Sequence, residues 1–208
     1  IPETKDWWLG HSWSLCVEEQ FYLLWPVLLA MFGTRRGFWL ALAAVALSPV
    51  IRILTFRFMP EMRGNTMVML HTRMDALMWG ALLAFLWRNN RAELWITRAL
   101  SPWCVVPAFV FLFALNPFLA ESYGGRYALP IGLSVEGAAV ALLVAFSVRQ
   151  HHNFFGRILN HRWVVHFGII SYSFYLWQQL FTGTSGFWTT RIFPLNLLAA
   201  WLLAEASH

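Results

Sequence analysis

The stretch HSWSLCVEEQFYLLWPVLL, residues 11–29, places two adjacent carboxylates, Glu18 and Glu19, at the front of an otherwise apolar segment. A transmembrane helix needs about 20 mostly apolar residues, and residues 13–32 provide that length. A charged side chain at the centre of a bilayer costs about 2.5–3.5 kcal/mol on insertion scales. The stretch therefore predicts a membrane-crossing helix whose acids either work inside a site or stay close to the bilayer surface.

The composition of the whole chain is typical of a membrane protein. Of its 208 residues, 59% are hydrophobic and 12% are charged, whereas a soluble domain carries about 25% charged residues. The net charge is +5, and the charged residues lie in short clusters between apolar runs. This pattern indicates cytoplasmic loops and not a nucleic-acid-binding surface. Cys16 and Cys104 both lie in apolar segments, so the sequence predicts neither a disulfide framework nor a zinc site.

The apolar runs predict an all-α fold, a polytopic transmembrane helical bundle that forms a single domain over residues 1–208. Seven stretches are candidate membrane helices: 13–32, 38–56, 69–87, 103–119, 128–148, 163–183 and 192–207. Loops one, three and five carry eight arginines, whereas the opposite loops and the N-terminal segment carry five basic residues. This bias places the first set of loops in the cytoplasm and the HSWSL end of the first helix outside.

Polar side chains inside these segments are candidates for a functional site. Ser14, Glu18 and Tyr22 lie at spacings of four and share one helix face. Glu19 points about 100° away. Glu18 can therefore point into a site while Glu19 lies at the bilayer surface. The alternative is that both acids are solvated at the bilayer surface.

Three further charged residues lie in the third and fifth segments. Arg73 and Asp75, in HTRMDALMWGALLA (residues 71–84), are two positions apart and do not face each other, so each needs another partner. Glu18 is a candidate partner for Arg73; the alternative is an arginine that reaches the bilayer surface, with Asp75 near the helix N-terminus. Glu136 lies centrally in its segment and is expected to be protonated, paired or exposed to a cavity.

The sixth segment carries a polar group of its own, ISYSFYLWQQL, residues 170–180. Two helix faces result from the spacing: Ser171, Tyr175 and Gln178, and Tyr172, Tyr175 and Gln179. Such side chains either line a site or hydrogen-bond neighbouring helices. Four histidines without a distinctive ligand spacing cluster near one loop, so no metal is predicted: His151, His152, His161 and His166.

Three segments, taken in order, resemble the motifs of one family. HSWSLCVEEQFYLLWPVLL strongly resembles the signature of the acyltransferase-3 family, the integral-membrane O-acetyltransferases that decorate cell-surface polysaccharides. HTRMDALMWGALLAF looks like the family's T-R-x-D-x-L-x-x-G-x-x-L helix, and ISYSFYLWQQLF looks like its I-S-Y-S-x-Y-L-W helix. The resemblance covers the whole sequence and implies a bundle of roughly ten transmembrane helices, of which about seven lie here, truncated at both ends.

The resemblance also implies an activity. An acyl group, usually acetyl, would move from cytoplasmic acetyl-CoA to a hydroxyl of a cell-surface polysaccharide or glycoconjugate. Acetyl-CoA would be the acyl donor and not a permanently bound cofactor. The other implied partners are the lipid bilayer and a polysaccharide or lipid-linked sugar acceptor, with no nucleic acid. The implied location is the bacterial inner (plasma) membrane, crossed several times.

Acyl transfer to a hydroxyl needs a general base and donors for the developing oxyanion. On this resemblance, Glu18 orients a histidine or takes the proton itself, and Arg73 binds donor phosphate or stabilises charge. His11 is the third catalytic candidate, although the family's usual histidine lies on a first helix that this sequence does not contain. Gln178 stands where many relatives have His, which limits it to hydrogen bonding. The candidate substrate-binding residues are Trp13, Ser14, Tyr22, Asp75, Tyr172, Tyr175 and Gln178.

Two alternatives to an active transferase stay open. Acids near the bilayer midplane, as predicted for Glu136, couple protons to transport in polytopic transporters. The truncated chain alone is also expected to be inactive.

Overall fold

The computed structural model describes residues 13–66, 68–89, 92–182 and 193–208. Within these ranges the chain forms eight helices, one short 3-10 helix at Pro60–Asn65 and no strand. The helices are α1 (Trp13–Phe58), α2 (Leu70–Trp87), α3 (Glu93–Ala99), α4 (Pro102–Tyr123), α5 (Gly125–Arg149), α6 (Phe154–Leu159), α7 (Arg162–Thr182) and α8 (Leu195–Ser207). The all-α prediction is confirmed.

Three of these helices are long and apolar enough to cross a membrane, by length and composition, among the residues that the structure describes: α1, α4 and α5. Large apolar side chains on them point outward; Leu23 is 73% exposed, Trp39 61% and Trp103 89%. A soluble monomer rarely exposes contiguous apolar surface of this kind, whereas a lipid-facing helix does so throughout. The chain is therefore a membrane protein, as its composition predicts.

Helix α1 is broken at Gly33, whose φ of 73° lies in the left-handed region that glycine adopts without steric cost. A Cβ added at Gly37 would lie 2.4 Å from Cδ2 of Leu29. Eight residues of straight helix would separate these positions by about 12 Å. The chain therefore folds back at Gly33 into two arms, residues 13–32 and residues 34–58, and the prediction of two separate segments is confirmed.

Both arms of α1 pack against α2. The ring of Phe85 lies 6.4 Å from that of Trp25 in the first arm and 6.2 Å from that of Phe38 in the second. The buried cluster between them contains Trp25, Ala41, Val45, Met78 and Leu82. Phe38 and Arg52 of the second arm meet Phe85 and Asp75 of α2, so these two helices run antiparallel. The first arm, which folds back on the second, runs parallel to α2. We call the end where the first arm starts, the second arm stops and α2 starts the entry end.

Two of the predicted loops contain helices. Residues 88–101 include α3, and Ile96 in this helix and the two flanking residues Ala92 and Leu100 are buried at intervals of four. This apolar stripe packs on Ala145 of α5, and the same cluster includes Leu83 and Leu142. Residues 149–162 include α6. The prediction of plain loops was wrong here because short amphipathic helices fall below the length that membrane-crossing segments require.

The chain divides into two compact units: a first unit, Ser14–Arg149, and a second unit that includes Gln150–His208. In the first unit, α5 packs against α2 and α4. In the second unit, α7 packs against α8, where Ile170, Ala200 and Ala204 are buried. The prediction of a single domain over residues 1–208 stays a prediction.

Candidate active site

An arginine that lies inside the apolar part of α1 forms the polar centre of the first unit. The Arg52 guanidinium meets both carboxylate oxygens of Asp75 on α2, at 2.9 and 3.1 Å. Their side chains are 0% and 1% exposed. Removing one partner of a buried ion pair typically costs about 3–5 kcal/mol because the other charge is left uncompensated. This pair therefore fixes the second arm of α1 to α2 near the entry end.

Helix α5 completes the centre. Arg52 donates a 2.6 Å hydrogen bond to Oγ of Ser134, and that hydroxyl in turn donates to the carboxylate of Asp75. Arg52 also donates to the main-chain carbonyls of Leu129, at 2.8 Å, and Thr72, at 2.9 Å. All three guanidinium nitrogens are thus engaged, as burial of an arginine requires. We call Arg52, Asp75 and Ser134 the buried triad.

A π-helical turn supplies one of these acceptors. Residues Ala128–Gly132 of α5 form that turn, and the N–H of Leu133 bonds to the carbonyl of Ala128. In an α-helix, the same N–H would bond to the carbonyl of Leu129. The wider turn frees the carbonyl of Leu129, which accepts a hydrogen bond from Arg52. Such π-turns occur frequently at functional sites.

The two acids of the opening stretch differ in their surroundings. Glu18 is half-buried, whereas its neighbour Glu19 is exposed. Glu18 lies 15 residues before Gly33 and Ser48 lies 15 residues after it, so the fold-back places them at the same level. Arg52 is one helical turn, about 6 Å, closer to the entry end. Glu18 therefore lies about one helical turn from the level of Arg52, and its predicted role in a site stays a prediction.

Of the other candidates on α1 and α2, Ser14 and Arg73 lie near the entry end, and Tyr22 lies near the middle of the first arm. Ser14 and Arg73 are half-buried, and Tyr22 is 58% exposed. Two positions along a helix are about 200° apart, so Arg73 points away from the face on which Asp75 meets Arg52. The suggested pairing of Arg73 with Glu18 stays a prediction. The predicted substrate contact of Asp75 stays a prediction; in this structure its carboxylate is engaged by the buried triad.

Glu136 lies on α5, two residues beyond Ser134, and is half-buried. The helix on which it lies approaches α2 closely at the next position, since a Cβ on Gly137 would lie 3.2 Å from Cα of Ala76. A half-buried carboxylate at a helix contact fits a protein-facing position. It does not decide between the predicted states of this acid.

The candidates on α7 belong to the second unit. Tyr172 is 59% exposed, and Tyr175 and Gln178 are half-buried. In the same unit, Nε2 of His166 lies 2.5 Å from Oε1 of Glu205 on α8. His11 lies outside the described residues, and Trp13, the first described residue, is half-buried. The predicted roles of these residues stay predictions.

Among the described residues, no group of three or more His, Cys, Asp or Glu side chains is placed to hold a metal ion. An open groove lies beside the buried triad. The groove has a volume of about 600 Å³ and is bordered by Leu129, whose carbonyl accepts the hydrogen bond from Arg52. Arg57 and Arg126 stand at its rim.

Arg52 and Ser134 were not among the predicted site residues. Arg52 lies inside the predicted segment 38–56, and a charge in that position is a functional signal on its own. Nothing in the sequence around Ser134 distinguishes it from a hydroxyl that bonds its own helix. Its partners are 59 and 82 residues away along the chain and become apparent only in the fold.

Comparisons with known proteins agree with the motifs. A family model described as "Acyltransferase domain" matches residues 1–204. The chain is similar to O-acetyltransferase OatA of Staphylococcus aureus strains NCTC 8325 / PS 47, COL and MRSA252, with 24% identity in each case. These alignments cover 96% of this chain and 35% of each relative, so the chain spans about a third of their length.

No solved structure matches the chain significantly. The family match nevertheless extends over nearly the whole sequence and includes both units. It favours the acyltransferase interpretation over the transporter alternative. The chain belongs to the acyltransferase-3 family.

Proposed function

We propose that this protein is an O-acyltransferase of the bacterial plasma membrane that moves an acetyl group from cytoplasmic acetyl-CoA to a hydroxyl of a cell-surface polysaccharide or glycoconjugate. The observation that carries the proposal is the family match over residues 1–204, with O-acetyltransferases as relatives along 96% of the chain. The apolar helices α1, α4 and α5 support the membrane location.

The reaction defines what the site has to supply. The acceptor oxygen bonds to the carbonyl carbon of the acetyl group, the carbon–sulfur bond to coenzyme A breaks, and the thiolate leaves. The hydroxyl proton passes to a base, and the carbonyl oxygen carries negative charge in the transition state. A positioned base contributes about 10²–10⁴-fold to such a rate, and hydrogen-bond donors at the oxyanion contribute about 10²–10³-fold each.

Glu18 is the residue to which the proposal assigns the hydroxyl proton. It is half-buried, about one helical turn from the level of Arg52, whereas Glu19 is exposed. A carboxylate in this setting either accepts the hydroxyl proton or fixes the tautomer of a histidine that accepts it, as the acid of a serine-protease triad does. Both routes require the negative charge of Glu18, and both fail when the carboxylate becomes an amide.

Arg73 is the candidate for binding the donor phosphate or stabilising the negative charge that develops during the reaction. Its guanidinium matches the geometry of a phosphate or a carboxylate oxyanion. Because Arg73 lies two positions from Asp75, the buried triad holds the helix turn on which it sits. Arg52, Asp75 and Ser134 therefore act as positioning residues, since their polar groups are already engaged with one another.

The proposal is tested in membranes from a bacterial strain that lacks the gene and expresses the complete protein. These membranes are incubated with acetyl-CoA labelled in the acetyl group, and base-labile label is measured in the polysaccharide fraction and in the lipid-linked sugar fraction. Label that depends on expression, with stoichiometric release of coenzyme A, is the expected result. Label that is unchanged in both fractions when the inserted protein is absent would refute the proposal.

A further inference from the structure

The groove at the entry end combines an apolar wall with a cationic rim. Ile53, Phe56, Leu129 and Pro130 form the wall, and Arg57 and Arg126 form the rim. None of the residues that border this space carries a carboxylate. Its volume of about 600 Å³ is in the range that binds a small molecule or part of a lipid.

The rim charges are available to a ligand. Arg57 and Arg126 are both exposed, and neither forms an ion pair within the described part of the chain. A third arginine lies next to the wall: Nε of Arg63 donates to the carbonyl of Phe56 at 2.8 Å, and its guanidinium lies 5.1 Å from the Phe56 ring centre. Two acids lie within five residues of these arginines in sequence, Glu61 after Arg57 and Glu121 before Arg126. Neither borders the groove.

The position of the groove matches the layered chemistry of a membrane. It lies where the apolar helices α1, α4 and α5 have their ends, Phe58, Tyr123 and Gly125. Tyr123 borders the groove and is 60% exposed, as aromatic residues at the bilayer surface are. The wall thus lies on the hydrocarbon side and the arginines lie on the headgroup side.

We propose that this groove binds the phosphate of an anionic lipid. The phosphate lies between the guanidinium groups of Arg57 and Arg126, which present paired donors to phosphate oxygens. The first carbons of an acyl chain lie on the wall formed by Ile53 and Leu129. A free phosphate compound would use the rim and leave the apolar wall wet, so the wall selects a lipid.

Bound lipid would also contact the buried triad through one residue. Leu129 borders the groove, and its carbonyl accepts the hydrogen bond from Arg52. A lipid on the wall therefore stabilises the π-turn of α5 that holds this carbonyl. The inference does not depend on the acyl transfer reaction, because it concerns binding alone.

The test uses the complete protein in phosphatidylcholine nanodiscs and a phosphatidic acid with a photoreactive group near its glycerol. Labelling of residues 53–57 and 123–130 is mapped by mass spectrometry. Unlabelled phosphatidylglycerol is expected to displace the label at these segments, whereas phosphatidylcholine and glycerol 3-phosphate at equal concentration are not. Displacement by glycerol 3-phosphate to the same extent would overturn the choice of a lipid.

Matched variants separate the rim from general attraction to the membrane. The double variant Arg57→Gln, Arg126→Gln is expected to weaken binding at these segments by about thirtyfold, since each arginine near an anionic surface contributes about 1 kcal/mol. The variant Arg57→Lys, Arg126→Lys keeps the charges and is expected to retain most of the labelling. The control Arg35→Gln, Arg36→Gln removes two exposed charges beside Gly33 at the opposite end. Equal labelling of the first variant and the parent, or equal loss in the control, would overturn the proposal.

Discussion

Two arginine–carboxylate pairs join helices in the first unit, and they differ in almost everything except their chemistry. Arg52 and Asp75 link α1 to α2 with side chains that are 0% and 1% exposed. Arg149 and Glu93 link α5 to α3 with side chains that are 33% and 59% exposed. The exposed pair is the shorter, at 2.6 Å against 2.9 Å. The distance between the charged atoms therefore does not determine how much each pair contributes to stability; the surroundings of the pair do.

Water accounts for the difference. Solvent screens the exposed pair, and each partner is hydrated again when the other is lost, so such pairs contribute about 0–1 kcal/mol. The buried pair has lost its hydration and depends on protein groups for every hydrogen bond. Arg52 finds these groups in Ser134 and in the carbonyls of Thr72 and Leu129. Three elements are thereby fixed at one point.

The largest expected effect is that of Arg52→Met. It leaves the Asp75 carboxylate buried and uncompensated, so we expect a loss of about 3–5 kcal/mol in the free energy of unfolding. The measurement is reversible unfolding of the complete protein in mild detergent, followed by tryptophan fluorescence. The matched control is Arg149→Met, with a loss below about 1 kcal/mol.

The double variant Arg52→Met, Asp75→Leu sharpens the same comparison. Removing both charges together avoids the uncompensated carboxylate, so most of the stability lost in Arg52→Met is expected to return. An equal loss in the single and double variants would mean that the charges do not compensate each other. The contrast between the two pairs would then be wrong.

An intermediate effect is expected for Ser134→Ala. The change removes the hydroxyl that bridges Arg52 and Asp75 but leaves the ion pair in place. We expect a loss of about 1–3 kcal/mol, which is typical when a buried polar group loses one partner. Ser147→Ala, whose hydroxyl bonds only its own helix at the carbonyl of Val144, serves as the control on the same helix. Similar losses in both variants would argue against a special role for the buried triad.

The smallest effect is expected for Glu93→Gln. The exposed pair is lost while the shape of the side chain is kept, so the free energy of unfolding should change by less than about 1 kcal/mol. Added salt should reduce even this difference, since ions screen exposed charges. A loss as large as that of Arg52→Met would show that exposure does not determine the strength of these pairs.

The long apolar helices were readily predicted from the sequence because a run of apolar residues is a local property, whereas the short helices α3 and α6 were not. The segments 69–87 and 128–148 match α2 and α5 to within a few residues. The separation of the first two segments follows from one glycine with a positive φ, Gly33, in the predicted turn. Composition and glycine placement together therefore indicate the order and approximate length of the long apolar helices.

The partners within the site were not predicted, and the reason is physical. Asp75 was expected to need a distant partner, but α1, α2 and α5 all contain polar groups, and only the fold selects Arg52 and Ser134 among them. The carbonyl of Leu129 becomes an acceptor only because a π-turn releases it. Neither event leaves a periodic signal in the sequence. The family motifs indicate where the polar residues matter, and the structure shows which of them engage one another.

The most direct test of the account compares the two neighbouring acids of the opening stretch, one half-buried and one exposed. In the complete protein, Glu18→Gln is expected to reduce acetyl incorporation into polysaccharide by at least about a hundredfold, the lower bound for loss of a positioned base. Glu19→Gln, at equal protein levels in the membrane, is expected to behave as the parent. Equal incorporation by the two variants would contradict the account.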